Sequence, residues 1–268
     1  MVELFEGDLK DDGRRSSKGN QLKWKNNDIW YKADYLGYEG FSEYVVSKLL
    51  SFSNLGEEEY VNYEPEIIRY NDTELTGCKS KDFLGDCQLV TLERLIKQRF
   101  NESLNKIIYT ITDKEERLKT LVDLTERATN LKNVGKYMSK LLLIDAFFLN
   151  EDRHTHNIAV LMKPDGEYRL CPAFDHGAAL LSDTRMDYPL AGDLSAMTQR
   201  AKPKTFADSF DEQLDIAEKL YGCTLRFNFK YKEVEEIANS VTNYSPEISR
   251  RVIDLIMQQR VKYDCYFE

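Results

Sequence analysis

The sequence predicts an α+β fold of two lobes, a small β-rich N-terminal lobe over residues 1–84 and a larger, mainly α-helical C-terminal lobe over 85–268. Three observations predict it. Short runs split by Asn, Asp and Gly turns fill the first third of the chain. Apolar residues at helical spacing dominate after Asp86, interrupted by one well-marked hairpin. The 268 residues are 42% hydrophobic and 31% charged, which suits a globular chain long enough to bury a core in each lobe.

In chain order, residues 21–25 and 29–33 flank Asn26-Asn27-Asp28 and form a first hairpin. A small, polar, glycine-containing loop precedes them at 11–20. Residues 40–50 make a helix with Phe41, Val45 and Leu49 spaced four apart. Glu39, ahead of Gly40, falls outside it. Residues 67–70 and 75–80 form a second hairpin around Asn71-Asp72, and the lobe boundary falls within 82–87. Residues 90–100 read as a helix with Thr91 as its candidate cap. Asp113 with Glu116 three residues on resembles a capping box that opens a helix toward Leu131. An apolar helix follows at 134–149. Residues 158–161 and 168–171 flank Lys163-Pro164-Asp165-Gly166 as a hairpin. Helices at 205–221, 230–241 and 245–262 complete the chain, the last opened by Ser245 with Pro246 at the first helical position.

The formal net charge of −9 gives no basic footprint for general nucleic-acid or anionic-membrane binding. No apolar run approaches membrane-spanning length, and residues 1–4 carry no leader pattern. The cysteines, Cys78, Cys87, Cys171, Cys223 and Cys265, are scattered, odd in number and form no CxxC. They read as free thiols of a reducing cytosol, so the expected location is cytoplasmic.

The chemistry concentrates in Asn150-Glu151-Asp152-Arg153-His154-Thr155-His156-Asn157. There an acid and a carboxamide five residues apart follow an apolar helix. A hairpin then leads to a second acid in Phe174-Asp175-His176-Gly177. Phosphoryl transfer from ATP uses such a set: one carboxylate takes the hydroxyl proton, and a carboxamide and a second carboxylate hold magnesium. Asp and Asn also stabilise ordinary turns, but that role does not require the hairpin and second acid in this order. The three histidines, His154, His156 and His176, read as structural supports. A zinc site would need more nitrogen or sulfur ligands, and only His176 and Cys171 lie near the His-x-His pair in sequence.

The order of loop, strand lysine, helix glutamate, Asp–x4–Asn loop and further Asp is that of a two-lobed kinase. Gly13, Ser16, Ser17 and Gly19 are the candidate phosphate loop, where N–H groups and hydroxyls would cradle phosphates. The loop matches neither GxxxxGK[ST] nor GxGxxG. Lys32, in the strand 29–33, would contact the ATP phosphates, and Glu43 would pair with it.

Residues 150–157 together with Pro172-Ala173-Phe174-Asp175 resemble the HipA-like family of bacterial serine/threonine protein kinases. Phe41-Ser42-Glu43-Tyr44-Val45 is similar to its small CtkA branch, which lacks the extra N-terminal subdomain of HipA. The likeness covers an ordered set of motifs across residues 10–185. It implies a two-lobed protein-kinase-like fold and ATP- and Mg2+-dependent transfer of the γ-phosphate to a protein Ser or Thr hydroxyl, self-phosphorylation included. It also implies Asp152 as the base that orients the acceptor and Asn157 and Asp175 as the magnesium ligands. Lys32 with Glu43 would align ATP, and His154 would brace the loop. Residues 78–87 would supply the strand and hinge that meet adenine. Residues 177–204, with Arg185, Arg200, Lys202 and Lys204, would be the activation-segment equivalent, although no Ala-Pro-Glu ends it.

In the family a phosphoserine can regulate the phosphate loop, and Ser16 and Ser17 are the candidates here. A phosphate there would repel ATP or pull the loop outward. The resemblance further implies a toxin with an antitoxin-like partner, while the residues themselves identify neither partner nor protein substrate. Asp-Arg-His-x-x-Asn followed by an Asp occurs in phosphoinositide kinases too, so a lipid or small-molecule kinase is an alternative. The acidic charge and the lack of a basic amphipathic helix disfavour a membrane lipid. A nucleotide-binding pseudokinase or regulatory module is another alternative, against which Asp152, Asn157 and Asp175 stand. A metal-dependent hydrolase using the histidines is more remote.

Overall fold

The computed structural model describes residues 1–10 and 21–268. The expected phosphate loop, Gly13, Ser16, Ser17 and Gly19, therefore lies outside the described residues. Among the described residues the N-terminal lobe is a sheet of β1 (Val2–Glu3), β2 (Lys23–Asn26), β3 (Ile29–Ala33), β4 (Glu64–Tyr70) and β5 (Thr73–Lys81), in the spatial order β1-β4-β5-β3-β2. The β2–β3 and β4–β5 hairpins turn at Asn27 and at Asn71-Asp72, which take left-handed conformations that Asn and Asp tolerate.

Alternation sorts the two faces of this sheet. Trp24, Tyr31, Ala33 and Ile68 bury with Leu4 on one side. Lys23, Lys32 and Cys78 lie level with one another across β2, β3 and β5 and share the other. On that second face lies α1 (Glu39–Leu50), close to β5 where Gly40 meets Gly77. A Cβ on Gly40 would sit 2.5 Å from the Gly77 carbonyl carbon, and one on Gly77 2.1 Å from the Lys32 carbonyl oxygen. Gly40 thus permits the approach of α1 that brings Glu43 to Lys32, and Gly77 the close pass of β3 beside β5.

The expectation that Glu39 lies outside this helix is corrected: Glu39 is its first residue. The Glu39 carboxylate turns back and accepts from the backbone N–H groups of Tyr35, Leu36 and Gly37 at 3.2, 2.6 and 3.0 Å. Those bonds, and the favourable place of an anion at a helix N-terminus, outweigh the glycine that follows.

The second lobe contains β6 (Gln88–Thr91), α2 (Leu92–Phe100), α3 (Leu104–Thr110), α4 (Lys114–Thr129), α5 (Val134–Phe148), β7 (Ala159–Met162) and β8 (Tyr168–Leu170). α6 (Leu194–Arg200), α7 (Phe210–Tyr221), α8 (Tyr231–Asn239) and α9 (Pro246–Lys262) follow. The helix expected from residue 90 is corrected at its start. Val90 and Thr91 end β6, which pairs with β7 in a sheet ordered β6-β7-β8. Thr91 is nonetheless the cap of α2, accepting from the Arg94 N–H. The helix expected from residue 205 begins at Phe210, where Ser209 caps it, and the segment 177–204 contains the helix α6. Asp113 caps α4 and Ser245 caps α9, as expected.

One core joins the two parts. Phe41, Val45 and Leu49 of α1 belong to the same buried cluster as Leu142 and Phe147 of α5 and Val252 and Ile256 of α9. The Phe41 ring lies 5.0 Å from that of Tyr244, and the Tyr44 hydroxyl 2.9 Å from that of Ser240. Hence α1 is held by the helical lobe while its N-terminal half reaches the sheet. Among the described residues no helix is long and apolar enough to cross a membrane, and the five cysteines are free thiols.

Candidate active site

The loop 150–157 is built from its buried end outward. α5 stops at Leu149, which takes the left-handed conformation (φ 56°) and donates its N–H to the Asp145 carbonyl. Asp145 is the one charged residue in the apolar stretch 141–149. Its carboxylate meets Arg153 at two points, 2.8 Å from Nε and 3.0 Å from Nη2, and also accepts from the Asn150 side chain at 2.8 Å. Arg153 Nη1 donates to the carbonyls of Asn157 at 3.2 Å and Phe174 at 2.9 Å. Burial works against the guanidinium charge, but Asp145 outweighs it and pushes Arg153 above its ordinary value. This one side chain closes the loop and ties it to the segment after β8 that carries Asp175.

The outer residues of the loop follow from that anchor. Asn157 spans it, donating from Nδ2 to the Asp152 carbonyl at 2.5 Å and accepting at Oδ1 from the His154 N–H at 2.7 Å. Thr155 donates to Asn105 at 2.8 Å and so pins the loop to α3. Asp152 Oδ1 lies 2.8 Å from Lys204 Nζ and 3.7 Å from His154 Nε2.

Opposite stands the N-lobe half. Lys32 Nζ is 2.5 Å from Glu43 Oε1 and 2.8 Å from Asp175 Oδ1. The other Glu43 oxygen accepts from the His176 N–H at 2.8 Å. Ser42 donates to the carbonyls of His176 at 2.8 Å and Ala179 at 3.1 Å. Asp175 itself sits at φ 63°, a conformation non-glycine residues seldom adopt and one that local bonding must hold. Burial would raise the Asp175 carboxyl, but Lys32 first and Lys23 next hold it far below the carboxylate range. Burial likewise opposes the Lys32 ammonium, and Asp175 and Glu43 together push it well above its ordinary value. Both groups are therefore charged at neutral pH.

Lys23, Glu39, Asp152, Asn157, Asp175 and Gly177 all line one cleft that opens to solvent. The structure thus brings Lys32, Glu43 and Asp175 into contact and sets Asp152, Asn157 and Asp175 along the same cleft. Gly13, Ser16, Ser17 and Gly19 are among the residues not described.

The oxygen donors of Asn157 and Asp175 fit a magnesium ion, which commonly takes one or two protein oxygens beside phosphates and water. An amide oxygen has two lone pairs, and His154 N–H uses one on Asn157. The histidines do not gather for zinc: among the described residues no group of three or more His, Cys, Asp or Glu side chains is placed to hold a metal. Burial lowers His154 below its ordinary value and His176 well below it.

Sequence reasoning missed three residues here. Asp145 and Arg153 carried a signal, a lone acid in an apolar helix eight residues before an arginine. Lys23 carried one too. Register within the first hairpin sets it directly opposite Lys32, but only if the turn is at Asn27-Asp28.

No family model and no curated protein matches the sequence. Solved structures do match. The proinflammatory kinase CtkA of Helicobacter pylori aligns with a TM-score of 0.63 at 14% identity, over 97% of this chain and 95% of that one. HipA of Shewanella oneidensis MR-1, from a toxin–antitoxin complex with HipB and operator DNA, aligns at 0.48 with 12% identity, over 97% of this chain and 62% of that one. At 14% identity the likeness is one of fold, and the chain has the kinase-like α+β fold of CtkA, a β-sheet region followed by a mainly helical one.

Proposed function

We propose that the chain is an ATP- and Mg2+-dependent HipA-like kinase that transfers the γ-phosphate to Ser or Thr hydroxyls of protein, itself included. The observation that carries this reading is the Lys32 ammonium shared between Glu43 at 2.5 Å and Asp175 at 2.8 Å, beside a cleft that Asp152 and Asn157 also line. In this reading the cleft separates a lobe of residues 1–84 from one of residues 85–268.

Lys32, steadied by Glu43, holds the nucleotide phosphates. Asn157 and Asp175 would hold magnesium, whose positive charge would offset the charge that develops in transfer. Asp152 orients the acceptor hydroxyl and takes its proton. Lys23 adds a second cation facing the phosphates. The transition state is loose, so most of the rate comes from positioning and charge neutralisation. The fold shared with the kinase CtkA supports the assignment to phosphoryl transfer.

Calorimetric titration with ATP tests the nucleotide half of this reading. Binding is expected to tighten with Mg2+, to weaken in Lys32→Met under both conditions, and to lose only the Mg2+ increment in Asp175→Asn. Binding indifferent to Lys32 and to Mg2+ would overturn it.

A further inference from the structure

Residues 202–205 lie along the candidate catalytic loop and are fixed to it at three points. The Lys202 N–H donates to Glu151 Oε1 at 3.1 Å, Lys204 Nζ meets Asp152 Oδ1 at 2.8 Å, and the Thr205 hydroxyl donates to the Arg153 carbonyl at 2.8 Å. Arg117 Nη1 holds the Thr205 carbonyl at 3.1 Å from the other side. Pro203 and Thr205 are buried on either side of Lys204. The backbone carrying this lysine is therefore tied into the helical lobe, while its side chain remains a third exposed (34%).

His154 is farther from Asp152, at 3.7 Å. Arg153 points inward, onto Asp145.

We propose that Lys204 is a positioning residue for Asp152, fixing the carboxylate that receives the acceptor's proton and setting a positive charge beside the phosphoryl group in transfer. The inference rests on the kinase reading above. In the step it serves, the acceptor oxygen bonds to the γ-phosphorus, its proton passes to Asp152, and the bond to the departing ADP breaks with its electron pair. Where catalysis is mainly positioning, a cation that fixes the base costs some basicity but secures its aim. Because the Lys204 side chain is partly exposed, its ion pair adds little to folding stability. Turnover and stability should therefore respond separately.

The test is steady-state transfer from labelled ATP–Mg2+ to dephosphorylated casein and to the chain itself. Wild type is compared with Lys204→Met, Lys204→Arg and Asp152→Asn, with thermal melts in parallel. Lys204→Met is expected to lower kcat about tenfold or more, with the KM for ATP changed by less than about twofold and the melting temperature unmoved. Lys204→Arg should recover most of the loss. The proposal is overturned if Lys204→Met keeps wild-type kcat, if its loss appears only in KM, or if Lys204→Arg is no better than Lys204→Met. Such a result beside an inactive Asp152→Asn leaves the kinase reading standing. Absence of transfer by the wild type overturns both.

Discussion

Asp145 and Arg153 form a two-point ion pair, at 2.8 and 3.0 Å, in which neither side chain is more than 3% exposed. It joins the end of the apolar helix α5 to the loop bearing Asp152 and Asn157. Removing one partner of such a pair leaves an uncompensated buried charge, at a cost of about 3–5 kcal/mol. Asp145→Asn is therefore expected to lower stability by that amount in urea unfolding and to abolish phosphoryl transfer. Asp145→Leu combined with Arg153→Met should regain part of the stability and none of the activity, because the carbonyls of Asn157 and Phe174 lose their donor.

Lys23 separates the reading of charge from the reading of fold. It lines the cleft and helps to hold the Asp175 carboxyl down. A hydrogen bond to a charged group is worth about 1.5–3 kcal/mol. Lys23→Met is thus expected to weaken ATP binding by about tenfold or more in calorimetry, with an unchanged far-UV spectrum.

Asp34 gives a pH dependence with a definite sign. Its carboxylate accepts from the Gly40 N–H at 2.6 Å and the Tyr244 hydroxyl at 2.8 Å, so it joins β3, α1 and the loop before α9. Burial raises its carboxyl from 3.8 to about 6. The folded state then holds this proton more tightly than the unfolded state. Its contribution to stability is fully present below about pH 4 and is lost as pH rises through about 6. Asp34→Asn should flatten that part of the stability profile. The difference between wild type and variant, measured by urea unfolding at pH 4.5 and pH 7, is expected to change by about 1 kcal/mol or more in favour of the variant at the higher pH.

Metal removal distinguishes hard oxygen ligands from histidine ligands. Transfer should stop on chelation by EDTA and return with Mg2+. A zinc-selective chelator should leave it intact, since no group of three potential ligands gathers among the described residues. Loss of activity to the zinc chelator alone would assign the metal to other residues.

Much of the fold is legible in the sequence because its signals are local. The caps Asp113, Thr91 and Ser245 and the turn residues Asn71-Asp72 act within a few positions, and each sits where its chemistry favours it. β6 and the seven-residue helices α3 and α6 escape because they are too short for a hydrophobic period to register. In the site, Lys32, Glu43 and Asp175 were legible as an ordered set, and they lie together. The contact between Lys204 and Asp152 was not, because 52 residues separate them and only the packing of the helical lobe brings them together. Lys23 was hidden by register, where a one-residue slip in a hairpin reverses which face a side chain joins.

In the proposed reading, Asp152 and Asp175 serve one phosphoryl transfer. The most direct measurement is incorporation of labelled γ-phosphate from ATP–Mg2+ into protein by the wild type, Asp152→Asn and Asp175→Asn. Incorporation is expected from the wild type and lost in both variants, with Asp152→Asn still binding ATP–Mg2+. Nucleotide binding by all three with no transfer by any of them, or transfer that survives Asp152→Asn, would contradict it.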